Sequence, residues 1–221
     1  MQERYRADYD GEFVILNTSY KDGEKHQDKE WIANPIENQH ISARAAVIGH
    51  GESRQDFKIR NIEDHRGGLL GKKRLQTYGA EGCWRELRCD FYVENDPKTL
   101  KEIKRRKYSE RSVVYTGVKN LIKHPGEFYL IPYGVKLVPV AAAMFLAAFD
   151  GHREVFLLGV DGTLENNQVN DKHIAHINQV LTTYKDTKFY FVTDRNIPEV
   201  FRKNTNVEIM GYRKFISYCD V

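Results

Sequence analysis

The sequence predicts an α/β protein built on a Rossmann-like, doubly wound, mostly parallel sheet with an N-terminal β/loop extension. Three observations carry this. From Arg44 onward, short apolar runs alternate with amphipathic stretches, so strand and helix periods take turns as they do in repeated βα units. The runs VFLLGV and KFYFV are apolar almost throughout, which suits parallel strands covered on both faces. No internal repeat or Pro/Ser-rich linker interrupts the 221 residues, so residues 44–221 read as one domain and residues 1–43 as a strand or lid extension.

Taken in order, GEFVILNTSY is a β-branched run that reads as a strand, and the polar stretch after it has Asp22-Gly23 as a turn signal, the pattern of an edge hairpin. RAAVIG is the first strand of the main domain, and GLLG before Lys72 is read as the next. CDFYV, SVVYTG, EFYLIP, REVFLLGV and TKFYFV follow, interleaved with the helical stretches PKTLKEIKRRKY, VKNLIKH, a small-residue helix within residues 134–149, DKHIAHINQVLTTY and IPEVFRKN.

Composition narrows the function. The net charge of +3 is too small to hold a polyanion by itself, so any such partner must meet a local patch. Cys83, Cys89 and Cys219 form no CxxC pair, and an odd count argues for reduced thiols. The longest apolar run carries a Lys and a Pro and is shorter than the roughly 20 residues that cross a bilayer. The charged N-terminus lacks an export signal, which places the expected location in the cytoplasm, with no membrane partner.

Ligands of such sheets bind beyond the carboxyl ends of the strands. Gly49, His50, Gly51 and Ser53 follow the first strand; glycines there allow close approach to a phosphate, and Ser53 can cap a helix or offer its N–H to an oxyanion. A tight strand-to-helix turn accounts for the same residues. Lys72, Lys73 and Arg74 beside glycines suit a diphosphate clamp, or a solvated basic turn. Asn95 can bond a ribose or base edge, and Asp96 a sugar hydroxyl or a metal, although Asp-Pro is also an ordinary helix start. In the next helix Lys101, Lys104 and Arg105 are the local candidates for a phosphate backbone. Asp161 ends a very apolar strand, where a buried charge needs a partner or a task, and with His173 it is the candidate catalytic residue. His173 and His176 lie three residues apart at the start of a helix, fit for general-base work, for the edge of a core or for half of a metal site.

The stretch AAAMFLAAFDGHREVFLLGVD, followed by a polar His-containing loop and LTTYKDTKFYFV, resembles the bacterial sialyltransferases of the single-Rossmann type and related sugar transferases over roughly residues 45–192. The family's G-N-G-P-S loop is similar to Gly49-His50-Gly51-Glu52-Ser53, and its F-Y-N-P to Phe91-Tyr92 with Asn95-Asp96-Pro97. The resemblance implies a glycosyltransferase that moves a sugar from a nucleotide-sugar donor to an acceptor hydroxyl. Residues 49–53 and Asn95 would contact the nucleotide, Tyr133-Gly134 would stand where the family has Thr-Ser-Gly, and His173, preferred to His176, would be the general base. Glu52 replaces the loop Pro, and Gly162-Thr163 stand where family members carry tyrosines. In the single displacement this implies, Lys72, Lys73 or Arg74 stabilise the departing phosphate and no metal is required. Mg²⁺ held by Asp96 or Asp161 would point instead to pyrophosphoryl transfer, as in pterin pyrophosphokinase-like proteins. The N-terminal segment is similar to that of small tailed-phage proteins, a setting in which the acceptor would be a hydroxymethylated base of DNA; a glycan is the other acceptor considered. The competing class is a non-enzymatic Rossmann module that binds a nucleotide or a partner. The oligomeric state is open.

Overall fold

The computed structural model describes residues 2–6, 12–33, 44–57, 62, 75–132, 135–163 and 168–219. The chain divides into two compact units, one of residues 1–39 and 94–136, the other of residues 40–93 and 137–221. In chain order the strands are β1 (Gln2–Arg6), β2 (Glu12–Lys21), β3 (Glu24–Ala33), β4 (Arg44–Ile48), β5 (Gln76–Ala80), β6 (Phe91–Val93), β7 (Val113–Thr116), β8 (Tyr129–Leu130), β9 (Glu154–Leu158), β10 (Lys188–Val192) and β11 (Val207–Met210). The helices are α1 (Pro97–Arg105), α2 (Val118–Lys123), α3 (Pro139–Phe149), α4 (Asp171–Thr183), α5 (Glu199–Arg202) and α6 (Tyr212–Cys219).

In the second unit the strands run in the order β6-β5-β4-β9-β10-β11 and every pair is parallel. The chain moves outward from β4 through β5 and β6, then resumes on the other side of β4 with β9. This is the doubly wound order of a Rossmann-type sheet, and its switch point lies between the carboxyl ends of β4 and β9. Helices cover both faces, as the alternation of side chains along β10 shows. Tyr190 and its register partner Phe156 stack at 5.0 Å, and Phe156 lies 5.3 Å from Phe215 of α6. Phe191, the next residue, turns to the opposite face and stacks on Phe201 of α5 at 5.3 Å. On that face α5 packs on α4, and α4 on α3. Because α3 is built of Ala, Val, Met, Leu and Phe, it is buried all round and lies close on β4, β5, β6 and β9.

Its first turn is completed from another helix: the Val138 N–H donates to His176 Nδ1 at 2.9 Å. The amino end of α4 is capped by Asn170, whose Oδ1 accepts from the His173 N–H at 3.1 Å. The α6 helix is held by Glu154, which accepts from Tyr218 Oη at 2.6 Å and from Arg44 Nε at 2.8 Å.

The first unit is mixed. In the order β7-β8-β1-β2-β3, β8 pairs parallel with β7 and β1, while β1, β2 and β3 run antiparallel. The β2–β3 hairpin turns at Asp22 and Gly23 with φ of 53° and 82°, the two left-handed residues that a two-residue hairpin requires. Asp96 starts α1 by accepting from the Thr99 N–H at 2.8 Å, and this holds its carboxyl below the ordinary range.

Two elements depart from the sequence reading. The strand expected at GLLG lies outside the described residues, and the strand that pairs with β4 is Gln76–Ala80. It is fully buried although it reads QTYGA; neighbours satisfy Thr77 and Tyr78, while Gln76 Oε1 is buried with no hydrogen-bond partner among the described residues. Asp90 Oδ2 accepts from the Thr77 N–H at 2.9 Å and Oγ1 at 3.0 Å, and Tyr78 Oη donates to Asp150 Oδ2 at 2.7 Å. The segment β11–α6, assigned no element from the sequence, closes the sheet edge. Among the described residues no helix is long and apolar enough to cross a membrane.

Candidate functional site at the carboxyl ends of β4, β5 and β9

Residues 49–53 leave β4 and meet residues 159–163, which leave β9. Gly49 N–H donates to Leu158 O at 2.9 Å, and Gly51 N–H to Gly159 O at 2.8 Å. A Cβ at Gly49 would stand 2.5 Å from Gly159 O, and one at Gly51 would stand 2.2 Å from Asp161 Oδ1. Both glycines are therefore demanded by the closeness of the second loop, a reason that needs no ligand. Residues 52–56 form a 3-10 turn with Gly51 at its N-cap, so Ser53 lies inside the turn and does not cap it.

Asp161 joins the loops. Its Oδ2 accepts from the Ser53 N–H at 2.6 Å, and its Oδ1 accepts from the Thr163 N–H at 3.0 Å and Oγ1 at 2.5 Å. Thr163 Oγ1 in turn accepts from the Glu52 N–H at 2.8 Å. The charge that the sequence reading required to have a partner or a task thus has three donors, and the Ser53 N–H, considered there for an oxyanion, is directed at this carboxylate.

The rim carries charges of both signs. Arg195, just after β10, grips Asp56 through Nε at 2.7 Å and Nη2 at 2.8 Å, and also pairs with Glu52. Arg54 pairs with Glu86 and lies over the Phe57 ring at 4.9 Å.

Next to this lies the end of β5. Glu81 and Gly82 both have positive φ, 59° and 92°, and turn the chain sharply out of the strand. Gly82 faces His50, whose Nδ1 would lie 3.8 Å from a Cβ at that position. Glu81 Oε1 lies 3.5 Å from Nδ1 of His173, in the first turn of α4. His173 is 8% exposed, and burial, then the charges of His176 and Lys172, pull its pKa below the ordinary value. It is thereby neutral and able to take a proton near pH 7. Burial and Lys172 also lower His176, whose Nδ1 is engaged by the Val138 N–H.

The structure thus brings together Gly49, His50, Gly51, Ser53, Asp161 and His173 at one end of one sheet. Asn95, Asp96, Lys101, Lys104 and Arg105 belong to the other unit. There Asn95 Oδ1 accepts from the Gly117 N–H at 3.1 Å, and Glu94 Oε1 accepts from the N–H groups of Asn95 and Asp96 at 2.8 and 2.9 Å. Lys104 reaches Glu127 at 3.4 Å. Lys72, Lys73, Arg74, Tyr133 and Gly134 lie outside the described residues. Among the described residues no three His, Cys, Asp or Glu side chains converge as metal ligands would.

Sequence reasoning passed over Glu81 and Arg195, and it named Thr163 only as the residue standing where the family has tyrosines. Glu81 was within reach: it is the residue immediately after a strand, and the rule that searches strand ends would have found it had β5 been located.

Compared with known proteins, the sequence matches no family model and no curated protein. Among solved structures it is similar to the sialyltransferase CstII from Campylobacter jejuni in complex with CMP-3FNeuAc, at 14% identity and a TM-score of 0.42, over 66% of this chain and 78% of that one. It is also similar to an alpha-2,3-sialyltransferase from Campylobacter jejuni in apo form, at 13% identity and a TM-score of 0.44, covering 74% and 80%. A third is the monofunctional alpha-2,3-sialyltransferase Cst-I from the same organism, at 13% identity and a TM-score of 0.45, covering 74% and 81%.

Proposed function

We propose that the chain is a glycosyltransferase that takes a sugar from a nucleotide-sugar donor and passes it to an acceptor hydroxyl. The observation that carries this reading is His173: a buried, neutral imidazole beside a carboxylate, at the strand ends where a doubly wound sheet binds its ligands. The resemblance of residues 151–161 to the sugar-transferase motif supports the same reading from the sequence. His173 takes the acceptor's hydroxyl proton as the oxygen forms its bond to the sugar carbon. The bond from that carbon to the phosphate oxygen breaks, and its electron pair leaves with the nucleotide. Residues 49–53 are the proposed donor contacts, with Lys72, Lys73 and Arg74 for the leaving phosphate. Asp161 acts by holding the two loops together.

The reading involves no metal, which Mg²⁺ titration of donor binding checks. For the acceptor we propose DNA, on the charge distribution: residues 96–127 carry nine Lys or Arg against four Asp or Glu, a net of +5 where the whole chain has +3. Among the described residues, Lys101 and Arg105 have no carboxylate in ion-pair reach, and both are exposed on α1. Binding that weakens steeply with salt is the expected behaviour.

Thermal unfolding against a panel of nucleotides and nucleotide sugars, with and without Mg²⁺, is the test. A ligand at 100 times its Kd adds about 2.7 kcal/mol. A shift with a sugar nucleotide, followed by release of free nucleotide when acceptor is added, is the expected result. A specific observation favours the non-enzymatic module as second reading: the N–H groups of Gly51 and Ser53 are bonded within the protein, and Arg54 and Arg195 are paired with carboxylates. No shift with any nucleotide decides for that reading.

A further inference from the structure

We infer that Glu81 is the positioning residue of His173: its carboxylate holds the proton of the imidazole on Nδ1 and so leaves Nε2 as the basic nitrogen. The inference rests on the reading of His173 as a general base.

The geometry has three parts. First, Glu81 Oε1 and His173 Nδ1 are 3.5 Å apart, half an ångström or so longer than a closed N–H···O hydrogen bond. Separations of this kind are common between a base and its orienting group before a substrate is bound. Second, the other ring nitrogen, Nε2, has no hydrogen-bond partner among the described residues, while the backbone N–H of the same residue is tied to Asn170. The helix start is thus fixed and the ring keeps one nitrogen for a ligand. Third, Glu81 occupies a left-handed conformation, with φ of 59°, that is unfavourable for a non-glycine residue. The next residue, Gly82, is also left-handed, with φ of 92°, so the turn needs this conformation at both positions and glycine occupies only the second. A carboxylate at a left-handed position beside a buried histidine is a strained site of the kind that clusters where chemistry is done.

The charged groups that reach His173 are Glu81, from the end of β5, and His176 and Lys172 on its own helix. Lys172, and His176 once it is protonated, oppose protonation of His173. Glu81 is the group that stabilises the imidazolium once Nε2 has taken a proton, and it fixes beforehand which nitrogen takes it.

The test is ¹⁵N–¹H NMR of the imidazole rings in the full chain, compared with Glu81→Gln and Glu81→Gly. Glutamine keeps the shape and removes the charge, whereas glycine relieves the left-handed strain and so preserves folding if glutamine does not. In the unsubstituted chain His173 is expected as the Nδ1–H tautomer. In both variants its titration midpoint should fall by about one pH unit, a tenfold loss in proton affinity, with the tautomer becoming mixed. An unchanged midpoint and tautomer in both variants would overturn the inference and leave Glu81 a turn residue. This readout needs no turnover, so it separates from the proposed activity: nucleotide-sugar turnover absent in the unsubstituted chain counts against the transferase reading while the ring titration still decides the role of Glu81. Where turnover is present, Glu81→Gln should lower kcat at least tenfold with KM little changed.

Discussion

Two histidine clusters in the same unit, at His152 and His173, use similar side chains to opposite ends. His152 sits between the end of α3 and the start of β9, where Tyr78 Oη lies 3.0 Å from its Nε2 and donates to Asp150 Oδ2 at 2.7 Å. Tyr78, Asp150 and His152 are 0%, 3% and 2% exposed, so this network is sealed on all sides. His173 also stands by a carboxylate, but at 3.5 Å, with one ring nitrogen uncommitted among the described residues and a strained turn supplying the partner. A closed network specifies a core; a loosely closed pair at the mouth of a sheet can still change its bonding when a ligand arrives. The same residue types therefore do not announce a site, and the separating features are closure and strain.

The comparison breaks first, and by the largest margin, at His173. Under the proposed activity His173→Ala should lower turnover by about 10²–10⁴-fold with the thermal midpoint little changed. Turnover that survives this substitution would move the base elsewhere. Next in size, Tyr78→Phe should cost about 1–3 kcal/mol in urea unfolding, because Asp150 loses a buried donor, and nucleotide binding should be unaffected. If Tyr78→Phe is neutral, the closed network is less important than its burial suggests.

Asp161→Ala should cost about 1–2 kcal/mol and loosen the two loops, leaving the Ser53 and Thr163 N–H groups without their acceptor; faster amide exchange at Ser53 is the measurement. The smallest effect concerns pH. His173, His176 and His124 all have pKa values lowered in the folded protein, chiefly by burial, so the unfolded chain binds protons more readily. Stability contributed this way is complete above the unperturbed value near 6.5 and declines as pH falls below it, until the folded groups titrate in turn. Urea midpoints should accordingly be lower at pH 5.5 than at pH 7.5, and His173→Ala should reduce that difference.

Much of the architecture was legible in the chain because burial on two faces leaves long apolar runs. EVFLL and KFYFV are strands for that reason, PVAAAMFLAAF is a buried helix, and Asp22-Gly23 marks its hairpin. β5 was not legible in this way. The hydroxyls of Thr77 and Tyr78 are satisfied by Asp90 and Asp150, 13 and 72 residues away, and no local window contains those partners. The site was divided similarly. Asp161 and His173 were found as a carboxylate and an imidazole in suggestive positions, but Glu81 depended on locating β5, and Thr163 on a loop contact across 111 residues.

Local pattern by itself determined the fold class, the cap at Asp96 and the residues worth suspecting, because period, turn and cap chemistry act over a few neighbouring residues. Tertiary structure alone decided that Gly49 and Gly51 serve a loop-to-loop contact, that Asp161 accepts three hydrogen bonds, and that His173 rather than His176 keeps an uncommitted nitrogen beside a carboxylate. Those outcomes depend on distances between groups far apart in the chain, which packing of the sheet brings within reach and which no property of the single residues contains.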